Sequence, residues 1–160
     1  MDRINRILNH DLYRTYLERN EQAEADRRFC RHNIGHLLDV ARIGMLYNLE
    51  ENYGLPKEIV YGTALLHDIG RFRQYEDGTP HELVSAELAL QILKDCGYTD
   101  QETTVMIEAI RNHRNASVAD ERNLNGLLYR ADKASRGCYA CSVIEECNWS
   151  NRKKNQDLTW

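Results

Sequence analysis

The chain has 160 residues, with 21 Lys and Arg against 25 Asp and Glu for a net charge of -4, and only two prolines and nine glycines. That length suits a single domain with a real core, and the mild acidity gives no general reason to bind nucleic acid or an anionic membrane. No apolar stretch approaches the roughly 20 residues that span a bilayer, and the N-terminus MDRINRILNH lacks the apolar centre of a signal peptide, so a cytoplasmic protein is expected.

Apolar residues recur every three or four positions, with no alternating run of strand length, which predicts an all-α fold. Residues 3–20 carry Ile4, Ile7, Leu8, Leu12, Tyr16 and Leu17 at helical spacing. A second helix, about 23–52, contains HNIGHLLDVARIGMLYNLE and sets His36, Val40, Ile43 and Tyr47 on one face. The third starts near Pro56 and is closed by Gly70; its body EIVYGTALLH is apolar nearly all round, so it reads as a buried central helix ending in His67 and Asp68. The fourth opens on TPHE (79–82), a capping-box pattern with Thr79 as N-cap, Pro80 at the first helical position and Glu82 reaching back, which leaves His81 in an exposed first turn. A second box, TDQE (99–102), opens the fifth, whose stripe Glu102, Val105, Met106, Ala109 continues to His113. The sixth, about 119–136, turns Leu124, Leu127, Leu128 and Ala131 inward with Asp132 beside them, and the tail NRKKNQDLTW reads as polar and peripheral.

Three of the six histidines (His36, His67, His113) therefore fall on apolar faces, and Asp68 and Asp132 lie on or beside them. An aspartate is almost never fully buried unless it is paired. A divalent metal is the economical partner for such a set; separate hydrogen-bonded or salt-bridged pairs are the alternative. HNIGH (32–36) lacks the glutamate of an HExxH peptidase helix, and neither a phosphate-binding glycine loop nor a GxSxG elbow occurs.

Three stretches in order, HLLDVA with His36, LLHDIG with His67 and Asp68, and YRADKASR with Asp132, resemble the HD-domain superfamily of metal-dependent phosphohydrolases. The resemblance covers roughly residues 25–137 of one domain spanning 1–160, with 138–160 a cysteine-containing extension. It implies a compact bundle of about six or seven helices with metal at its centre. His81 in HELVSAELA and His113 in AIRNHR match the subset of the superfamily that carries two metals. That subset implies one site of His36, His67, Asp68 and Asp132, and another of Asp68, His81 and His113, with Asp68 as the bridge. One or two divalent transition metal ions are expected, with iron, manganese, nickel, zinc and magnesium all open.

Paired metals activate a water and clamp an in-line displacement, which implies hydrolysis of a phosphoester or phosphoanhydride of a nucleotide or small phosphorylated metabolite. Arg71, Arg114, Lys133 and Arg136 adjoin the proposed ligands as phosphate contacts, and Lys133 and Arg71 join Asp68 as the favoured catalytic groups. His32 reads as polar lining near the mouth, or as an outer partner of the ligands or a proton shuttle. A di-iron oxygenase of the inositol-oxygenase type, or a non-catalytic metal or nucleotide sensor, are the rival readings; hydrolysis ranks first because hydrolases dominate the superfamily. Finally, Cys138, Cys141 and Cys147 are spaced C-x2-C-x5-C, and with Cys30 or His32 they could close a structural zinc or iron-sulfur site; buried apolar thiols are the plainer reading.

Overall fold

The computed structural model describes residues 1–158, so Thr159 and Trp160 at the end of the tail lie outside the described residues. Among the described residues there are eight α-helices, short 3-10 turns and no strand. The expected first helix is two: α1 (Asp2–Asn9) and α2 (Asp11–Ala23). His10 divides them because it adopts an extended conformation and its Nδ1 accepts from the Leu12 amide, capping α2. The second helix starts later than expected. α3 (Ile34–Glu50) begins only where the Asn33 side chain accepts from the His36 amide, and the chain before it is not helical.

α4 (Lys57–Leu66) is the central helix: Ile59, Val60, Gly62, Thr63, Ala64, Leu65 and Leu66 are all buried against α1, α3, α7 and α8. Helical hydrogen bonding ends at Leu66, and residues 67–70 form a turn that leads into a short helix the apolar spacing did not predict, α5 (Arg71–Glu76). Only Phe72 of α5 is buried, so its sequence carries no helical period. The first expected capping box does not form. Thr79 Oγ1 bonds Asp77 Oδ1 (2.6 Å) instead, Pro80 becomes the N-cap, and α6 (His81–Asp95) starts one residue late.

The second box forms as read. Thr99 Oγ1 accepts from the Glu102 amide (3.2 Å) and Glu102 accepts from the Thr99 amide (2.8 Å), opening α7 (Asp100–Asn112), although Val105 of the expected stripe is exposed. α8 (Leu124–Ala134) begins at an Asn123 cap, shorter than expected at both ends, and buries Leu124, Leu127, Leu128, Ala131 and Asp132. The tail is not peripheral throughout. Asn155 Nδ2 donates to the carbonyls of Lys133 (2.8 Å), Ala134 (3.2 Å) and Arg136 (2.9 Å), satisfying the open end of α8.

Candidate metal centre

The site is built on the turn that ends α4. Asn20, fully buried on α2, donates from Nδ2 to the Asp68 carbonyl (2.8 Å) and accepts the Phe72 amide on Oδ1 (2.8 Å), clamping both ends of that turn. From the other side the Gly70 amide donates to Ser85 Oγ on α6 (2.9 Å). The Asp68 carboxylate is thereby aimed into the space enclosed by the N-terminus of α3 and the ends of α7 and α8.

All six expected ligands meet there, in two groups that share Asp68: His36, His67, Asp68 and Asp132, and Asp68, His81 and His113. Within each group the donor atoms lie within 4.8 Å of one another. The two oxygens of Asp68 divide the work. Oδ2 faces His67 Nε2 (3.2 Å) and His36 Nε2 (3.6 Å), while Oδ1 faces His81 Nε2 (3.0 Å) and His113 Nε2 (3.4 Å). Asp132 Oδ1 closes the first group at 3.5 Å from His36 Nε2 and 3.9 Å from His67 Nε2. One expectation is corrected: His81 is buried (3%), because α7 brings His113 over the first turn of α6.

The donor set fits a metal. His36 Nε2, His67 Nε2 and Asp68 Oδ1 are buried and have no hydrogen-bond partner, which is costly unless something else satisfies them. The far side of each imidazole is engaged instead. His67 Nδ1 donates to the Ala64 carbonyl (2.7 Å) and His113 Nδ1 to the Ile110 carbonyl (2.6 Å), while His81 Nδ1 meets Gln74 Oε1 (2.5 Å) and His36 Nδ1 meets Ser135 Oγ (3.3 Å). A carbonyl only accepts, so His67 and His113 carry their hydrogen on Nδ1 and offer Nε2 as a lone pair, the arrangement of metal-ligating histidine.

Electrostatics differ among the imidazoles: they favour the neutral, ligating form at His36 and His81 and oppose it at His67 while the facing carboxylates have no cation. Burial pushes His36 down and His81 down to about 4, keeping both neutral. Burial also opposes charge on His67, but Asp68 and Asp132 outweigh it and raise this imidazole. Burial alone would raise both carboxyls; the facing His67 and His32 hold Asp68 well below the usual range, and Lys133, His67 and Arg136 do the same for Asp132.

Above the donors lies a cavity of about 170 Å³, and four cations expected from the sequence, Arg71, Arg114, Lys133 and Arg136, line it. Lys133 Nζ bonds Asp132 Oδ2 (2.5 Å) and Arg136 Nη2 bonds Asp132 Oδ1 (3.3 Å), whereas Arg71 Nη1 reaches His81 Nδ1 (2.6 Å) and Arg114 pairs with Glu82 (3.2 Å). Two lining residues had no signal in the sequence. Arg27 comes from the stretch before α3, and Trp149 comes from the tail with the Arg136 guanidinium 4.7 Å over its ring.

His32 also lines the cavity, but it is buried and not at a mouth; its Nδ1 lies 2.5 Å from Glu24 Oε1. Glu24, the buried C-cap residue of α2, escaped the sequence reading altogether. Burial would raise its carboxyl, yet hydrogen bonds from His32 and Tyr75 outweigh that and pull it down to about 2. A carboxyl lowered in the folded state stabilises the fold above its unfolded value of 4.5, and that contribution is lost as pH falls from there towards 2. Urea unfolding of metal-free Glu24→Gln should accordingly show a stability deficit against the parent that is large at pH 6 and shrinks by pH 3. A deficit independent of pH would contradict this.

The cysteines do not converge. Cys30 is exposed, Cys138 buried, and Cys141 and Cys147 half-buried, and the two groups above are the only sets of three or more His, Cys, Asp or Glu donors gathered among the described residues. Cys138, within a tight 3-10 turn over Cys138–Ala140, is buried while Cys141 just after it is half-buried, and His32 is committed to Glu24. Cys138→Ser and Cys141→Ser should leave the metal content measured by elemental analysis unchanged; loss of an ion in either would restore a cysteine site.

Similarity to known proteins agrees with this geometry. A family model described as HD domain matches residues 33–137, the span that runs from the cap of α3 past Asp132. The chain is also 51% identical over 155 residues, 97% of each chain, to an uncharacterized protein of Clostridium beijerinckii. No solved structure matches the chain. With the family model covering most of its length and the buried His/Asp cluster lying where that span folds together, the chain belongs to the HD domain family.

Proposed function

We propose that the protein is a metal-dependent phosphohydrolase that releases phosphate from a nucleotide or another small phosphorylated metabolite. The observation that carries this reading is the placement of two donor groups sharing Asp68 beneath a cavity lined by Arg27, Arg71, Arg114, Lys133 and Arg136. His36, His67, Asp68 and Asp132 would hold one ion and Asp68, His81 and His113 the other; bound there, the pair would supply an activated water and charge stabilisation.

The chain's own groups do the rest. Lys133 and Arg71 both line the cavity and bind phosphoryl oxygens, offsetting charge that grows as the leaving oxygen departs. Arg136 and Lys133 also hold Asp132 ionised. Five cations around 170 Å³ favour a dianionic phosphate over an uncharged polyol, which weighs against the oxygenase reading.

Phosphate release from a panel of nucleoside and sugar phosphates, with added manganese or iron, should be chelator-sensitive. Turnover of no member of the panel by protein that has bound its metal would overturn the reading in favour of a sensor. Lys133→Ala should raise KM about tenfold through loss of a charged hydrogen bond to substrate, and lower kcat as well because the charge growing on the leaving oxygen loses its partner. An unchanged KM would remove Lys133 from the phosphate site.

A further inference from the structure

His32 belongs to neither donor group, yet it is 3% exposed, lines the cavity, and has a buried carboxylate devoted to it. Glu24 Oε2 accepts the His32 backbone amide (2.6 Å) and Glu24 Oε1 meets His32 Nδ1 (2.5 Å), while Tyr75 Oη donates to the same Oε1 (2.7 Å). A carboxylate only accepts, so Nδ1 carries a hydrogen and donates it, while Nε2 is presented to the centre. There Nε2 stands 3.8 Å from Asp68 Oδ2. That separation is too long for a hydrogen bond, but one oxygen atom can lie within hydrogen-bonding reach of both atoms. A histidine that merely filled the core would not call for a second buried acid, whose desolvation is costly.

We infer that His32 is a catalytic residue whose Nε2 accepts a hydrogen bond from the attacking water beside Asp68, and that Glu24 is the positioning residue that fixes its tautomer and orientation. The inference rests on the phosphohydrolase reading above. It assigns the otherwise unused α2 end a purpose: Asn20 fixes where Asp68 stands, and Glu24, four residues on, fixes the group that faces it. His32 orients the water and forms no covalent bond, so its effect falls on the transition state and not on substrate affinity.

The test compares two anions on metal-loaded protein: orthovanadate, which takes up an apical water-derived oxygen as the transition state does, and inorganic phosphate, which does not. Vanadate should bind the parent more tightly than phosphate. His32→Ala should weaken vanadate by about 10- to 100-fold, with phosphate affinity and metal content unchanged. Glu24→Gln should show a smaller loss, and the double variant should be no weaker than His32→Ala alone because Glu24 acts through His32. In turnover the single histidine variant should lower kcat about 100-fold at constant KM. Equal loss for both anions, loss of metal, no preference of the parent for vanadate, or an undiminished Glu24 effect in the His32→Ala background would overturn the inference. If no ester is hydrolysed but vanadate still depends on His32, the phosphohydrolase reading falls and the catalytic role of His32 with it, leaving His32 only as a contact of the bound oxyanion.

Discussion

Asp68→Ala should strip the centre of both ions and abolish activity. Its two carboxylate oxygens serve different groups, Oδ2 at 3.2 Å from His67 Nε2 and Oδ1 at 3.0 Å from His81 Nε2, so one truncation removes a donor from each. The second group is then two imidazoles, too few to hold an ion against water, and the first keeps His36, His67 and Asp132 without their shared anion. Asp132→Ala provides the contrast: it weakens the first group, which keeps its two imidazoles and Asp68, and leaves the second group complete, so any ion lost comes from the first. Elemental analysis after gel filtration counts the ions directly.

Thermal unfolding gives an independent measure, since a ligand at 100 times its Kd stabilises the fold by about 2.7 kcal/mol. Added metal should raise the Tm of the parent and leave that of Asp68→Ala where it was. Two ions per chain retained in the variant would exclude a shared carboxylate.

Gly70→Ala should weaken the fold and empty the second group selectively. A Cβ at this position would stand 2.6 Å from the Ser85 amide nitrogen and 2.7 Å from Val84 Cγ1, both on α6. The backbone conformation there is ordinary (φ -92°), so the obstacle is space and not strain. Relief requires the turn and α6 to part, breaking the Gly70 amide bond to Ser85 Oγ and carrying His81 away from Asp68 Oδ1. Overpacking of this kind costs about 1–3 kcal/mol. Denaturant unfolding should register that loss, and elemental analysis should find the first ion with the second gone. A stable variant with both ions would mean that α6 can yield without moving His81.

What could be read along the chain and what could not divide by range. The capping box at Thr99 and Glu102 forms because both partners sit within one helical turn. The box read at Thr79 fails because a nearer acceptor, Asp77, captures the hydroxyl. The sequence places His81 at the surface; it is buried because His113, 32 residues later, and Arg71, Gln74 and Asp68 before it close around its ring. The loop before α3 was read as helix, since nothing local shows that Glu24 must turn inward to reach His32.

The sequence by itself determined the all-helical architecture, the buried character of α4, and the order of histidines and aspartates from which the six candidate ligands were taken. Those are local properties: apolar spacing sets which face is buried, and a motif is legible wherever its members are neighbours along the chain. Only the tertiary structure decided how Asp68 is aimed and by what. Asn20 lies 48 residues before the carbonyl it holds, and Arg27 and Trp149 approach the cavity from opposite ends of the chain. It also leaves the cysteines ungathered among the described residues, since a spacing of C-x2-C states how far apart two thiols are in the chain but not whether the fold brings them together. Packing fixes such directions through contacts whose partners are distant in sequence, and no single segment encodes them.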